Sequence, residues 1–155
     1  MPTLTYTPLA NITLSSSATS ITFSSISQSY RDLILVISQP SNAVSQPAIH
    51  FNNTTSAGNY PGVYMSGNGT TASSGTQNED RIYAAENGYM ITTCNIMDYS
   101  ATDKHKTVLS RGNSASGATS ATASRWASTS AITTINVTGG TYVANTVMAL
   151  YGIAA

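Results

Sequence analysis

The chain has 155 residues, a formal net charge of zero and 8% charged residues, against about 25% in an average protein. That is enough chain for one domain with a real core, but it offers too little positive charge to attract a phosphate backbone. No apolar run approaches the ~18 residues that a membrane-spanning helix needs, and the single cysteine, Cys94, excludes an intrachain disulfide. Neither nucleic acid nor a membrane is expected as a partner. The polar surface has to come from Ser, Thr and Asn, with little charge to hold copies apart.

Pro2 to Pro8 reads as an extended arm, because two prolines and alternating threonines disfavour helix. Residues 1–10 are assigned to that arm and 11–155 to one domain. The opening MPTLTYTPLANITL has no basic n-region and no long apolar stretch, so no signal peptide is expected. Ile12 and Leu14, then Ile21 and Phe23, alternate with polar residues as strands with one wet face. Leu33–Ile37 is apolar at every position. This predicts a central strand covered on both faces, the outer one by another layer or a neighbouring subunit. Pro40 ends it. After Pro47, Ile49 and Phe51 point one way and His50 the other. Asn52–Asn59 predicts a loop, and Val63 and Met65 share a face of a short strand. The run from Gly67 through Gly75 to about Asp80 predicts a long polar loop.

Ile82–Ala84 is a short strand candidate. Met90–Met97 and about Lys106–Ser110 flank the polar break Asp98–Lys104 and read as a hairpin with a longer loop. Most of the charge in the chain lies here, between Glu79 and Arg111. Gly112–Ser124 is nearly all Ser, Ala, Thr, Gly and Asn, and predicts a loop or a weak edge. Arg125-Trp126 enters a strand. Ile135 and Val137 alternate while Ile132 is out of phase, which predicts a bulge near Thr133-Thr134. Gly139-Gly140 is a turn, and Val147–Ile153 is the last strand. No segment carries a helical stripe. The fold class is all-β, a jelly-roll-like antiparallel β-sandwich of roughly 9–10 short strands.

Chemistry-bearing constellations are sparse. His50 and His105 lie in separate segments, and Lys104 and Lys106 flank His105 with charge that opposes a metal. Asp98 and Asp103 bracket one loop, but no D-x-D-x-D-G pattern makes it a calcium loop. Cys94 sits in an apolar strand as a small buried hydrophobe. There is no G-x-S-x-G elbow, and Gly67-x-Gly69 has no helix after it to cradle phosphate. The carboxylates Glu79, Asp80, Glu86, Asp98 and Asp103 have no apolar setting to raise a pKa. No enzyme activity, cofactor or metal is expected. Arg125-Trp126 reads either as a sugar-stacking platform or as a core or interface Trp beside an exposed Arg. Nine tyrosines against two phenylalanines favour subunit interfaces.

The order SYRDLILVIS, HFNNTTSAGNYPGVYMSGNG, NIMDYSATDKHKTVLSRGNS, SRWASTSAITTINV and a terminal MALYGI resembles virion structural proteins of tailed bacteriophages, from about Ile21 to Ile153. The resemblance implies a jelly-roll sandwich without enzyme activity, on a phage head or tail appendage. A capsid decoration (cement) protein on the outer surface of the virion capsid fits a lone domain with an extended arm. Its partner is then the major capsid protein, and it is made in the host cytoplasm without a signal peptide. The alternative is a tail-fibre or adhesin domain that binds host-surface glycan. A homotrimer is expected, because one small neutral domain offers limited area and three copies multiply it. Expected contacts with partner or sister copies are Pro2, Leu4, Tyr6, Pro8, Tyr99, Arg125 and Trp126.

Overall fold

A computed structural model describes residues 5–40, 46–84, 89–114 and 117–154, with Tyr89 and Met90 as backbone only. Among these residues there are twelve strands and no helix. The first six are β1 (Tyr6–Thr13), β2 (Ile21–Phe23), β3 (Asp32–Ser38), β4 (Ala48–Phe51), β5 (Tyr60–Gly67) and β6 (Ala72–Glu79). The others are β7 (Ile82–Tyr83), β8 (Tyr89–Met97), β9 (Lys106–Ser114), β10 (Thr119–Trp126), β11 (Ile135–Thr138) and β12 (Val147–Ile153). One sheet has eight strands in the order β1-β12-β3-β8-β9-β10-β5-β6, the other four in the order β2-β11-β4-β7. Every pairing is antiparallel.

Without β5, β6, β9 and β10, two four-stranded sheets remain, β1-β12-β3-β8 and β2-β11-β4-β7. That is the double Greek key of a jelly roll. The other four strands continue the first sheet from the edge that β8 would otherwise leave open. The fold is therefore the expected jelly-roll sandwich with a four-stranded extension.

The core lies between the sheets of the jelly roll. Leu33, Leu35 and Ile37 of β3 are fully buried, with Cys94 and Ile96 of β8 and Met148 and Leu150 of β12 beside them. Ile21, Phe23, Ile49, Phe51, Ile135 and Val137 close over them from the small sheet. Burying each such side chain contributes about 1.5–3 kcal/mol. Leu35 is opposite Leu150 on one side and Cys94 on the other, at the centre of this layer. At the rim the Tyr30 ring lies over Gly152, where a Cβ would come within 2.4 Å of the ring. Only glycine fits there.

Aromatic residues join the extension to the jelly roll. Phe51 of β4 meets Trp126 of β10 edge-on at 5.6 Å between centroids, and Tyr60 of β5 at 6.2 Å. The Tyr60 hydroxyl donates to the Thr54 carbonyl and accepts from the Phe51 amide. Burial pushes its pKa up to about 12, so it stays a donor. Next to Trp126, the ammonium of Lys106 is buried and donates to the carbonyls of Ala101, Lys104 and Thr129 at 2.6–3.0 Å. It lies 5.9 Å from the Trp126 ring centroid. One cation thus ties the Asp98–Lys104 loop to the segment after β10, although burial lowers its pKa.

Several sequence expectations need correction. From Tyr6 onward the arm assigned to residues 1–10 is strand β1, held by β12. The long loop expected from Gly67 to Asp80 is a hairpin. Asn68 Oδ1 accepts from the amides of Thr70 and Thr71, Gly69 takes a φ of +85°, and β6 returns along β5. Gly112–Ser124, read as loop or weak edge, supplies the end of β9 and most of β10, which is an interior strand. These segments account for the twelve strands where roughly 9–10 were expected. No bulged strand surrounds Ile132. Its amide donates to the Tyr99 carbonyl, and Asn52 Oδ1 accepts from the amides of Thr133 and Thr134. β11 starts only at Ile135.

Candidate interaction face

Residues opposite each other in an antiparallel ladder put their side chains on the same face. The register therefore fixes what the large sheet turns away from the core. One row runs Thr76, Val63, Ala123, Leu109, Asn95, Ile34, Tyr151, Pro8. The next runs Ser74, Met65, Ala121, Arg111, Thr93, Val36, Ala149, Asn11. No second layer covers either row among the described residues.

Among the described residues the exposed large hydrophobic side chains are Tyr6 at 56%, Val63 at 55%, Met65 at 65%, Ile91 at 50% and Leu109 at 40%. All five lie on this face by register. Ile34, Val36, Tyr151 and Ile153 lie half-buried between them. Val63, Met65, Leu109, Ala121 and Ala123 line a shallow groove of about 650 Å³, with Asn95, Arg111, Ser74 and Thr76 among its polar members. Val63, Met65 and Leu109 form an apolar strip along the groove, with Thr93 and Asn95 between it and Tyr6, and exposed apolar strips are a common feature of interaction surfaces. Arg111 and Arg125 are exposed on the same face, and neither has an ion pair among the described residues.

The opposite side of the molecule is more polar. His50 is buried on the outer face of the small sheet, with Nδ1 3.5 Å from Thr138 Oγ1. Arg81 grips Asp80 at 2.6 and 2.7 Å and lies 5.8 Å from the Tyr83 ring centroid. Burial and the positive charge of Arg81 lower the pKa of His50. No group of three His, Cys, Asp or Glu side chains able to share a metal exists among the described residues. Cys94 is fully buried, and burial pushes its thiol up to about 12, so it is un-ionised and inert at neutral pH.

The sequence-expected contacts separate into three groups. Pro2 and Leu4 lie outside the described residues. Tyr6, Pro8 and Arg125 are exposed on the outer face of the large sheet. Tyr99 and Trp126 are corrected. Tyr99 is fully buried and its hydroxyl donates to the Ser27 carbonyl, while Trp126 is 2% exposed in the aromatic junction. A ring so placed cannot stack on a sugar. Sequence reasoning missed Leu109, Ile91 and the pairing of Val63 and Met65 with them. The Val63–Met65 alternation was visible, but only the register shows that its apolar side faces outward.

No family model and no curated relative matches the chain. Among solved structures it is similar to a galectin of Caenorhabditis elegans, at 14% identity over 91% of this chain and 94% of that one, with a TM-score of 0.41. It is also similar to an exo-inulinase of Aspergillus awamori, at 13% identity over 97% of this chain, with a TM-score of 0.42. The chain spans only 29% of the inulinase. Neither likeness bears on function.

Proposed function

We propose that this protein is a structural component of a phage virion, a decoration protein that docks on the major capsid protein lattice through the outer face of its eight-stranded sheet. Its work is attachment and not catalysis. The observation that carries the reading is that, among the described residues, all five exposed large hydrophobic side chains lie on that one face. The resemblance of its strand motifs to phage virion proteins supplies the setting. With no net charge to steer a partner, attachment has to come from apolar area and backbone-level fit. Arg111 and Arg125 beside the apolar strip favour a partner surface that offers carboxylates at the edge of an apolar patch. The alternative, a tail-fibre or adhesin domain that binds host-surface glycan, loses one candidate contact, because the Trp126 ring is in the core.

The test is co-sedimentation of the purified protein with capsids that lack it. Val63→Ser with Met65→Ser should weaken attachment at least tenfold. The loss should persist at high salt, because few ion pairs are available to screen. Attachment of the double variant at wild-type strength, or attachment of the wild type to glycan and not to capsids, would overturn the proposal.

A further inference from the structure

The eight-stranded sheet ends in two edges of opposite character. β1 carries Pro8 and a bulge between Pro8 and Ala10, two devices that stop a further strand from adding. β6 carries neither. Its eight residues, ASSGTQNE, keep an unbroken register along β5 from Glu79 to Ala72, and six of them are exposed. It has no proline, lysine or arginine. The edge strands of the small sheet, β2 and β7, are three and two residues long. Among the described residues β6 is thus the one long, regular and unguarded edge, with a row of backbone donors and acceptors that β5 does not use.

We propose that β6 pairs antiparallel with β6 of a second copy about a dyad near Gly75, joining the two large sheets edge to edge. Charge favours a second copy in that orientation. Glu79 is the one charged residue of β6. Antiparallel pairing puts it at the Ala72 end of the partner strand, so the two Glu79 carboxylates lie about 20 Å or more apart at ~3.4 Å per residue. Parallel pairing would set them side by side. Shape agrees. The outward residues Ala72, Ser74 and Thr76 are small, and a dyad at Gly75 sets Ser74 of each copy opposite Thr76 of the other, a favourable hydroxyl pair. A dyad normal to the sheet also brings both outer faces to the same side. The Val63–Met65 strips of two copies then adjoin without being consumed by the pairing. A two-fold pair replaces the trimer expected from the sequence. The pairing needs only the β6 edge, whatever the outer face binds.

Light scattering and sedimentation of the purified full chain over a range of concentrations test this. The mass should rise from one chain to two. Amide exchange should slow with concentration within residues 72–79. Ser74→Lys with Thr76→Lys should stay monomeric at every concentration with an unchanged thermal midpoint, because like charges would then face each other across the dyad. Val63→Ser with Met65→Ser should dimerise like the wild type, even if it no longer attaches to capsids, which separates this inference from the docking reading. A wild type that stays monomeric, a trimer, a dimer that survives the two lysines, or a dimer lost with Val63 and Met65 would each overturn it.

Discussion

The two halves of the eight-stranded sheet bury opposite things. On β3, β8 and β12 the side facing the small sheet is mainly Leu33, Leu35, Ile37, Cys94, Ile96, Met148 and Leu150, each 2% exposed or less, with Thr92 its one buried hydroxyl among the described residues. On β9 and β10 the corresponding side is mostly Ser110, Ser120, Thr122 and Ser124, while Leu109 and, on β5, Val63 and Met65 face outward. The pattern of a core sheet is inverted in the extension. The jelly roll is therefore stabilised mainly by hydrophobic burial. The extension is held by its hydrogen-bonded ladders and by the junction of Phe51, Tyr60, Trp126 and Lys106. Its apolar side chains, spared from the core, are available for contact. This division places hydrophobic stabilisation in one half and the exposed apolar side chains mainly in the other.

The strongest way to break the comparison is to damage the jelly-roll core. Leu35→Asp puts an unpaired carboxylate between Leu150 and Cys94. An uncompensated buried charge exceeds what a domain stable by about 5–15 kcal/mol tolerates. The expected outcome is loss of soluble, cooperatively folding protein, seen by circular dichroism and thermal melting. A variant with the wild-type midpoint would show that β3 does not lie at the centre of the core.

A smaller effect comes from acid. His50 has its folded pKa lowered from 6.5 by burial first and by the charge of Arg81 second, with Asp80 opposing. Below pH 6.5 the unfolded chain therefore takes up a proton that the folded chain resists. This contribution to stability is fully present above pH 6.5. It is lost as pH falls from 6.5 towards the lowered folded value. Denaturant midpoints measured from pH 7.5 downward should fall through this window, and His50→Asn should flatten the fall. A wild-type midpoint that rises on acidification would reverse the sign assigned to His50. The loss belongs to the small sheet, so β9–β10 amide exchange should follow global unfolding and show no separate acid opening.

The same comparison explains what the sequence disclosed. Leu33–Ile37, Ile49 with Phe51, Ile135 with Val137 and Val147–Ile153 carry the two-residue alternation or unbroken apolar run that burial demands, and each is a strand. β6 and β10 do not carry it. ASSGTQNE is exposed on both faces, and TSATASRW buries only small side chains before Trp126. These strands exist because a neighbour offers a ladder, a non-local cause that residue patterning does not report. The outer face was missed for the same reason. Val63, Leu109 and Ile34 come from three separate segments, and only the register puts them in one row. Tyr99 and Trp126 were misplaced because a lone aromatic beside polar residues looks the same whether it ends in a core or at a surface.

The finest test concerns the polar interior of the extension. The hydroxyls of Ser110, Ser120 and Ser124, and that of Thr92 on the adjoining jelly-roll strand β8, are buried without a hydrogen-bond partner among the described residues. Ser110 lies opposite Cys94 on one side and Thr122 on the other, at the seam where the apolar core gives way to the small polar surface. A buried hydroxyl that has lost its water and found no acceptor is a net cost, and removing it restores what the desolvation took. Ser110→Ala should then leave stability unchanged or raise it by up to about 1 kcal/mol. Truncation in the other half has the opposite sign, since Leu35→Ala should cost about 2–5 kcal/mol. Thr92→Val keeps its shape and removes the same kind of group, so it should behave like Ser110→Ala. Urea midpoints at a common m-value compare the three directly. A loss above about 1 kcal/mol for Ser110→Ala would mean that its hydroxyl holds a buried water, and that the interior of the extension is a hydrogen-bonded layer with its own stability.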